Sequence, residues 1–176
     1  MISAVVLAAG ASTRFGSPKQ AVLLEPVLER VHGSAAIDGV VVVLGAHDVE
    51  THERVVHCPD WERGPGASLR CGLAALGDEV KAAIVVLGDG PTLDPRAIDR
   101  VVAAWRESGA ERVAATYRRV RLHPVLLARS AWGTVPDDGL RGLPAQLVSC
   151  DDLQPPGDVD FADELNGRGG EAPTSS

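Results

Sequence analysis

Residues 3–19 read SAVVLAAGASTRFGSPK, and this stretch gives the first indication of the fold. Its first six residues, Ser3 to Ala8, form a short apolar run of the kind found in strands buried on both faces of a parallel sheet. Gly10 and Gly16 follow this run, with small residues and Arg14 between them, and the stretch ends at Lys19. The stretch therefore predicts a buried strand followed by a loop with ligand-binding chemistry.

The same pattern recurs along the chain. Gly39 to Leu44 (GVVVVL) and Ala82 to Leu87 (AAIVVL) are rich in β-branched residues and are each followed by glycine, which predicts two further strands. Weaker strand candidates are Val55 to His57, Arg112 to Tyr117, Pro124 to Ala128 and Gln146 to Cys150. Helices are predicted over Pro26 to Ala36, Gly66 to Leu76 and Pro95 to Ser108. Strands that alternate with helices predict a three-layer α/β domain.

Length and composition limit the possible classes of protein. The 176 residues, 45% hydrophobic and 23% charged, fit one globular domain, which we assign to residues 1–165. Residues 166–176 are small and polar, which predicts a disordered tail. The net charge of -7 argues against binding to nucleic acid or to an anionic membrane surface. No apolar run approaches the roughly 20 residues that a membrane helix needs.

The three cysteines, Cys58, Cys71 and Cys150, form no CxxC pair, and any disulfide scheme leaves one of them unpaired. We therefore interpret them as buried free thiols in a reducing compartment. The amino-terminal residues have no basic segment before their apolar stretch, unlike a secretory signal. These features predict a cytoplasmic protein.

The loop from Leu7 to Lys19 has the composition of a polyphosphate site. Gly10 and Gly16 allow backbone amides to approach an anion, while Arg14 and Lys19 supply positive charge. The spacing is neither GxGxxG nor that of the P-loop, because Ser17 and Pro18 separate Gly16 from the lysine. The alternative, an ordinary glycine-rich turn, would account for the two glycines but not for the full sequence from Leu7 to Lys19.

A second loop, LGDGPTLDP, places Asp89 directly after the predicted strand that ends at Leu87. Magnesium favours a site with one or two protein carboxylates and substrate phosphate oxygens, so Asp89 is a candidate ligand. The alternative is an aspartate that stabilises a turn at the start of the next helix. Asp94, directly before Pro95, fits that capping role better.

A third glycine-rich loop runs from Cys58 into a predicted helix, where the amides of Gly66, Ala67 and Ser68 are placed to meet a base or ribose. Capping of the helix by the Ser68 hydroxyl is the competing interpretation. Near the end of the chain, Asp158 and Asp160 would share one face of an extended segment. Such pairs are more often surface charges.

The histidines have no metal-binding pattern, since His47, His52 and His57 are each five residues apart. His123 precedes Pro124 and a predicted strand, so it is either an imidazole at the edge of the sheet or a hydrogen-bonded structural residue. GxSxG, HExxH and Cys/His constellations do not occur, which disfavours hydrolase chemistry. For the tryptophans, packing in the core is the default expectation; these are Trp61, Trp105 and Trp132.

Five segments, in order along residues 2–165, resemble the MobA-like nucleotidyltransferases, particularly the molybdenum cofactor cytidylyltransferase branch. VVLAAGASTRFGSPK is similar to the family signature LAAGxSxRFGxxK, and RGPGASLRCGL is similar to GMSSSLRxGL. LGDGP, LHPVLLAR and DVDFADEL resemble the family segments GDxP, GHPVLF and DIDTPEDL. Gly90 and Leu122 depart from the residues usual at their positions.

The resemblance implies a Rossmann-like three-layer α/β/α nucleotidyltransferase fold with a mostly parallel sheet. It implies magnesium-dependent transfer of a nucleoside monophosphate to a phosphorylated cofactor precursor such as molybdopterin, with release of pyrophosphate. Leu-Ala-Ala-Gly at residues 7–10 resembles the branch that uses CTP rather than GTP. An acceptor phosphate with a second pKa of about 6 is already a dianion at neutral pH and needs no strong base.

By the same resemblance, Arg14, Lys19 and Asp89 are the expected catalytic residues, and Asp89 and Asp160 the expected metal ligands. The expected nucleotide-binding residues are Leu7, Ala8, Ala9, Gly10, Ala11, Gly16, Lys19, Gly66, Ser68 and Gly88. Two other functions stay open: an NAD(P)H-dependent oxidoreductase of the nicotine-blue type, and a nucleotide-binding module without catalysis. The protein is expected to be a monomer or a small homo-oligomer.

Overall fold

The computed structural model describes the backbone of residues 1–10 and 19–157, and the side chains of residues 1–10 and 22–157. The strands are Ile2–Ala8 (β1), Gly39–Leu44 (β2), Arg54–His57 (β3), Ala82–Leu87 (β4), Arg112–Tyr117 (β5), Val120–Ala128 (β6) and Gln146–Ser149 (β7). The helices are Lys19–His32 (α1), Pro65–Ala74 (α2) and Pro95–Ser108 (α3), with short 3₁₀ segments at Trp61–Arg63 and Arg129–Thr134. The predicted tail, residues 166–176, lies outside the described part of the chain.

All of these strands join one sheet in the order β3-β2-β1-β4-β6-β5-β7. The pairs of β1 with β2, β1 with β4, and β2 with β3 are parallel, and only β6 runs against its two neighbours. The carboxyl ends of β1, β2 and β4 therefore meet at one edge of the sheet, and the start of β6 returns to that edge. In open α/β sheets this edge is where ligands bind.

Helices cover both faces of the sheet. Successive side chains of a strand point to opposite faces, and in β1 the residues Ala4 and Val6 pack in one apolar cluster with Val27 of α1 and Ile98 of α3. Val5 packs in a second cluster with Leu69 and Leu73 of α2. The continuous apolar runs are needed because both faces are buried. This arrangement confirms the predicted three-layer fold with a mostly parallel sheet.

The first helix differs from its prediction. It begins at Lys19 rather than at Pro26, so this proline lies inside the helix. Proline in a helix interior costs about 3 kcal/mol because it removes a hydrogen bond and crowds the preceding turn. An apolar stripe on both sides of Pro26 offsets that cost by packing on the sheet; its members are Leu24, Val27, Leu28 and Val31.

Strand β6 is longer than predicted, because it begins at Val120 rather than at Pro124. Its first residues form a hairpin with β5, in which Tyr117 pairs with Val120. Pro124 lies where the register between these two strands shifts. Since the hydrogen-bond ladder is interrupted at such a shift, a residue without an amide proton is tolerated there.

The prediction of three free thiols is wrong for two of the cysteines. Cys58, just after β3, and Cys71 of α2 form a disulfide across a Cα–Cα distance of 5.8 Å, within the usual range. The pairing requires α2 to pack beside the end of β3, which the sequence spacing does not reveal. Cys150 is free and buried, as predicted.

Within residues 1–10 and 19–157, none of the helices combines the length and the apolar character needed to cross a membrane.

Candidate functional site

Two joined cavities open at the carboxyl edge of the sheet. The first, of about 340 Å³, lies over the ends of β1 and β4, and the second, of about 800 Å³, lies between the end of β4 and the start of β6. Both volumes are in the range of small-molecule sites. They share Leu7, Pro65, Leu87 and Asp89, so a molecule in one cavity would lie against a molecule in the other.

The base of the first cavity is formed by the ends of β1 and β4. Leu7, Ala8, Ala9 and Gly10 line it, together with Gly88. The Gly88 amide donates a 2.8 Å hydrogen bond to the Leu7 carbonyl. A Cβ atom at Gly88 would lie only 2.9 Å from that of Ala8, so glycine allows the two strand ends to approach. All five are residues that the resemblance associates with nucleotide binding.

Trp61 forms a side wall of the first cavity, so packing in the core is not its only role. Its ring lies directly over Gly45, where a Cβ atom would stand 2.6 Å from the Trp61 Cγ. Glu62 follows it along the same wall. Sequence reasoning did not assign either residue to the site, although an aromatic residue in a glycine-rich loop after a strand is a usable signal.

Gly66 and Ser68, near the start of α2, were both predicted to bind the nucleotide, but they differ in their surroundings. Ser68 is 4% exposed and lines the first cavity. It is not the helix cap, because Gly64 occupies that position without a side-chain bond. Gly66 does not line the cavity, and its amide donates a 2.9 Å hydrogen bond to the Asp137 carbonyl. The Gly66 amide is therefore used within the protein.

Asp89 lies at the boundary between the two cavities and lines both. Asp94 instead caps α3, where its carboxylate accepts a 3.0 Å hydrogen bond from the Arg96 amide, as predicted. Hydrogen bonds from the Arg96 guanidinium, together with the one from its amide, lower the pKa of Asp94. In the described part of the chain, no three acidic, histidine or cysteine side chains lie close enough to hold a metal ion by themselves. Asp89 would need oxygen atoms from a substrate to complete a metal site.

The second cavity combines apolar and cationic lining residues. Arg121 and His123 of β6 line it, together with Arg141. Burial, reinforced by the charges of the two arginines, lowers the pKa of His123 to about 4. The imidazole is therefore neutral at neutral pH and can donate one hydrogen bond and accept another. The two arginines are site residues that the sequence did not indicate.

Gly90 has a packing role that accounts for its small size. A Cβ atom at this position would lie 3.2 Å from the Pro156 Cβ, and Pro156 and Gly157 form part of the second cavity wall. The Thr92 hydroxyl holds this segment by donating a 2.8 Å hydrogen bond to the Pro155 carbonyl and accepting one from the Gly157 amide. A larger residue at position 90 would displace that wall.

Several predicted site residues have no described side chain. Lys19 is the first residue of α1, and its side chain lies outside the described part of the structure. Ala11, Arg14, Gly16 and Asp160 lie outside the described residues. The described part of the chain thus brings together seven of the predicted residues at the first cavity: Leu7, Ala8, Ala9, Gly10, Ser68, Gly88 and Asp89.

Comparison with sequence families identifies one match over most of the chain. The model of the MobA-like NTP transferase domain matches residues 4–146. The bifunctional protein GlmU of Sorangium cellulosum is 30% identical over an aligned length of 127 residues, and the match covers 61% of this chain. The match spans only 27% of GlmU, which is a much longer protein.

Solved structures share the fold. Rv0371c from Mycobacterium tuberculosis H37Rv superposes with a TM-score of 0.76 and 28% identity, over 94% of this chain and 95% of that one. A second structure of Rv0371c, in complex with manganese, gives a TM-score of 0.72 at 25% identity, covering 94% and 96% of the two chains. CMP:2-keto-3-deoxy-manno-octonic acid synthetase complexed with CTP gives 0.72 at 13% identity, over 94% and 97%, and this similarity concerns the fold alone.

Proposed function

The chain belongs to the MobA-like NTP transferase family, and from this premise we propose that its two cavities hold the two substrates of a nucleotidyl transfer. In this proposal the nucleoside triphosphate occupies the first cavity and a phosphorylated acceptor occupies the second. The reaction joins the acceptor phosphate to the nucleoside monophosphate and releases pyrophosphate.

The observation that carries the proposal is the position of Asp89 between the cavities. A carboxylate there lies where the acceptor phosphate and the α-phosphate of the nucleotide would meet. Two polyanions repel each other strongly, so their approach requires cationic charge at that boundary. Asp89 is placed to hold a divalent cation for that purpose.

CTP is the proposed nucleotide. Residues 7–10 have the Leu-Ala-Ala-Gly sequence that resembles the cytidylyltransferase branch. A solved relative with the same fold, CMP:2-keto-3-deoxy-manno-octonic acid synthetase, is complexed with CTP.

The second cavity supports an anionic acceptor with a substantial organic body. Its volume of about 800 Å³ is more than a phosphate group needs. Arg121 and Arg141 provide positive charge, while Leu93, Leu122 and Leu140 provide apolar contacts. Molybdopterin, a heterocycle with a phosphate, is the proposed example of this class.

Magnesium is the proposed metal, and the donor set is compatible with it. Magnesium takes few protein carboxylates and completes its shell with water and phosphate oxygens, as Asp89 with a bound triphosphate would allow. A solved structure of Rv0371c, which is 25% identical to this chain, is in complex with manganese. This complex supports the proposal that the site binds a hard divalent cation. Asp160 is the proposed second ligand. When bound, the ion would neutralise charge on the transferred phosphoryl group.

The proposed transfer needs no general base from the protein. An oxygen of the dianionic acceptor phosphate attacks the α-phosphorus, and the bond from that phosphorus to the bridging oxygen breaks. Both electrons of this bond leave with pyrophosphate. The protein therefore contributes positioning and charge, and Arg14 and Lys19 are the proposed partners of the triphosphate.

A ligand panel read by thermal denaturation tests the proposal. Wild-type protein is heated with CTP, GTP, ATP, UTP or NADPH, each with and without Mg²⁺. A ligand at about 100 times its Kd adds roughly 2.7 kcal/mol of stability, which is readily measured. We expect CTP with Mg²⁺ to produce the largest stabilisation.

Asp78→Asn is the matched control for Asp89→Asn. Asp78 is an exposed aspartate paired with Arg129 and lines neither cavity. The metal-dependent shift should persist in the control and disappear in Asp89→Asn. Stabilisation by NADPH without metal would instead support the oxidoreductase. CTP binding without pyrophosphate release in the presence of molybdopterin or of any other phosphorylated acceptor would support a binding module. The cytoplasmic location and the oligomeric state stay predictions.

A further inference from the structure

One segment of the chain contacts the walls of both cavities. Residues 135–143, here termed the bridging segment, connect the 3₁₀ segment Arg129–Thr134 to the approach to β7. Asp138, Leu140 and Arg141 of the bridging segment line the second cavity. The opposite side of the segment lies on the start of α2, which forms a wall of the first cavity.

Two glycines allow this contact with α2. A Cβ atom at Gly66 would lie 1.6 Å from the Pro136 carbonyl oxygen, and one at Gly64 would lie 2.4 Å from that of Asp137. Any side chain at either position would therefore push the bridging segment away. The Gly66 amide also donates to the Asp137 carbonyl at 2.9 Å. The Gly-Pro-Gly sequence at residues 64–66 thus serves as the docking surface for the bridging segment.

The carboxylate of Asp137 stabilises this contact by accepting hydrogen bonds from two arginines. It accepts a 3.0 Å hydrogen bond from Arg63 Nη2 and a shorter one from Arg70 Nη2. Arg70 Nη1 also donates to the Val135 carbonyl at 2.8 Å. These arginines lie on either side of Gly64 to Gly66, one before α2 and one within it. The hydrogen bond from Arg70, followed by the one from Arg63, holds the pKa of Asp137 below its usual range.

The far end of the bridging segment is attached to β6. Arg121 donates hydrogen bonds to the carbonyls of Leu140 at 3.1 Å and Leu143 at 2.5 Å. The segment is therefore held at one end by α2 and at the other by the strand that carries His123. A displacement of either attachment would move a wall of the second cavity.

We infer that Asp137 is a positioning residue: by fastening the bridging segment to the start of α2, it keeps the walls of the two cavities in register. Asp137 lines neither cavity, so it acts only through its neighbours. Ser68 and Gly64 are the affected residues at the first cavity, and Asp138 and Arg141 are those at the second. Loosening this single carboxylate is expected to disturb both sites together.

Hydrogen–deuterium exchange on the ligand-free full chain tests the inference directly. In Asp137→Asn we expect the amides of residues 64–70 and 136–143 to exchange about tenfold faster than in wild type, because both sides of the contact loosen. Asp78→Asn removes an exposed Asp–Arg pair at the other end of β4 and should leave both regions unchanged. Faster exchange in only one region, or equally across β1 and β4, would overturn the inference.

Gly66→Ala provides a second disturbance that removes no charge. Its Cβ atom would collide with the Pro136 carbonyl, so the same two regions should lose protection while the strands keep theirs. Asp137→Glu retains the carboxylate and should restore most of the protection lost in Asp137→Asn. Failure of Glu to restore any protection would contradict a role for the charge.

A calorimetric titration with CTP and Mg²⁺ provides the functional measurement, and this measurement rests on the proposed function. The Kd is expected to rise about tenfold in Asp137→Asn and to be unchanged in Asp78→Asn. Equal affinity in wild type and Asp137→Asn would overturn the inference. If wild-type protein binds no CTP, the proposed nucleotide is wrong, and the exchange experiment still decides whether Asp137 couples the two walls.

Discussion

The two cavities lie side by side but are built in different ways. The first is formed mainly by residues that directly follow β1 and β4 and by the segment from Trp61 to Ser68, which the Cys58–Cys71 disulfide spans. The second is assembled from β6, the bridging segment and Pro156–Gly157. Hydrogen bonds from the Arg121 and Thr92 side chains hold those last two parts in place.

The difference concerns what fixes the wall of each cavity in place. Strand ends are fixed by the sheet register, so residues directly after them have well-defined positions. The walls of the second cavity depend more on side-chain hydrogen bonds, which can be removed with few consequences for the core. Removing such a bond is therefore expected to change the second cavity more than the first.

Replacing Asp89 tests the boundary between the cavities and should have the largest effect. In Asp89→Asn we expect pyrophosphate release from CTP and molybdopterin to fall about 100-fold or more, because the charge that we propose to hold the metal is lost. The free energy of unfolding should change little, since the residue is only partly buried. Normal turnover in this variant would remove Asp89 from the reaction.

Removing the disulfide tests the covalent support of the first cavity. The double substitution Cys58→Ser and Cys71→Ser should lower the free energy of unfolding by about 3 kcal/mol, because the disulfide closes a loop over a sequence separation of 13 residues. Denaturant titration measures this, and wild-type protein in a reducing agent should behave like the variant. Identical stability in oxidising and reducing buffer would contradict the disulfide. Cys150→Ser controls for loss of a buried thiol.

The pH dependence of stability tests the second cavity through His123. The pKa of His123 in the folded protein, about 4, is below the value of about 6.5 for an unfolded histidine. The unfolded chain therefore takes up the proton first as the pH falls. Stability should be fully present above about pH 6.5 and decrease towards pH 4, by about 3 kcal/mol from this residue.

The control for this measurement is His123→Gln, which keeps a polar side chain but does not titrate. Unfolding free energies of both proteins are compared at intervals between pH 4 and 7. The difference between them should vary with pH in that window, and a constant difference would show that His123 has an ordinary pKa.

Thr92 tests the weaker attachment of the second cavity and should have the smallest effect. Thr92→Val removes the hydroxyl that bonds the Pro155 carbonyl and the Gly157 amide, at an expected cost of about 1 kcal/mol in unfolding free energy. Thr92→Ser retains the hydroxyl and should be close to wild type. CTP affinity should be unchanged in both, because Thr92 does not line the first cavity. Weaker CTP binding in Thr92→Val alone would contradict the separate construction of the two cavities.

The sequence predicted most of the sheet but not the attachments between its loops. The strands β2, β4 and β5 and the helix α3 have the predicted bounds, because continuous β-branched runs and a capped amphipathic stripe are local signals. The beginning of α1 was predicted too late because proline favours the first turn of a helix, and the packing of the apolar stripe on both sides of Pro26 was not visible. The disulfide was missed because Cys58 and Cys71 become neighbours only when α2 packs beside β3.

Similar reasons apply to the candidate site. Asp89, Ser68 and Gly88 follow strands or begin helices, so their positions at the first cavity were accessible to sequence reasoning. Gly66 was predicted to lie with them because the amides at a helix start are available to bind a ligand. Its actual neighbour, Asp137, is far away in sequence, and no local pattern indicates such a pair.

The sequence alone determined a buried parallel sheet with helices on both faces, a glycine-rich loop after the first strand, and a carboxylate after β4. These features depend on local conformational preferences and on the spacing of apolar residues, which neighbouring residues encode. The tertiary structure alone decided that a second cavity exists, that Arg121 and His123 line it, and that Asp137 joins its wall to α2. Arg70 and Asp137 are 67 residues apart in the chain, and their contact depends on how the whole sheet and its helices pack.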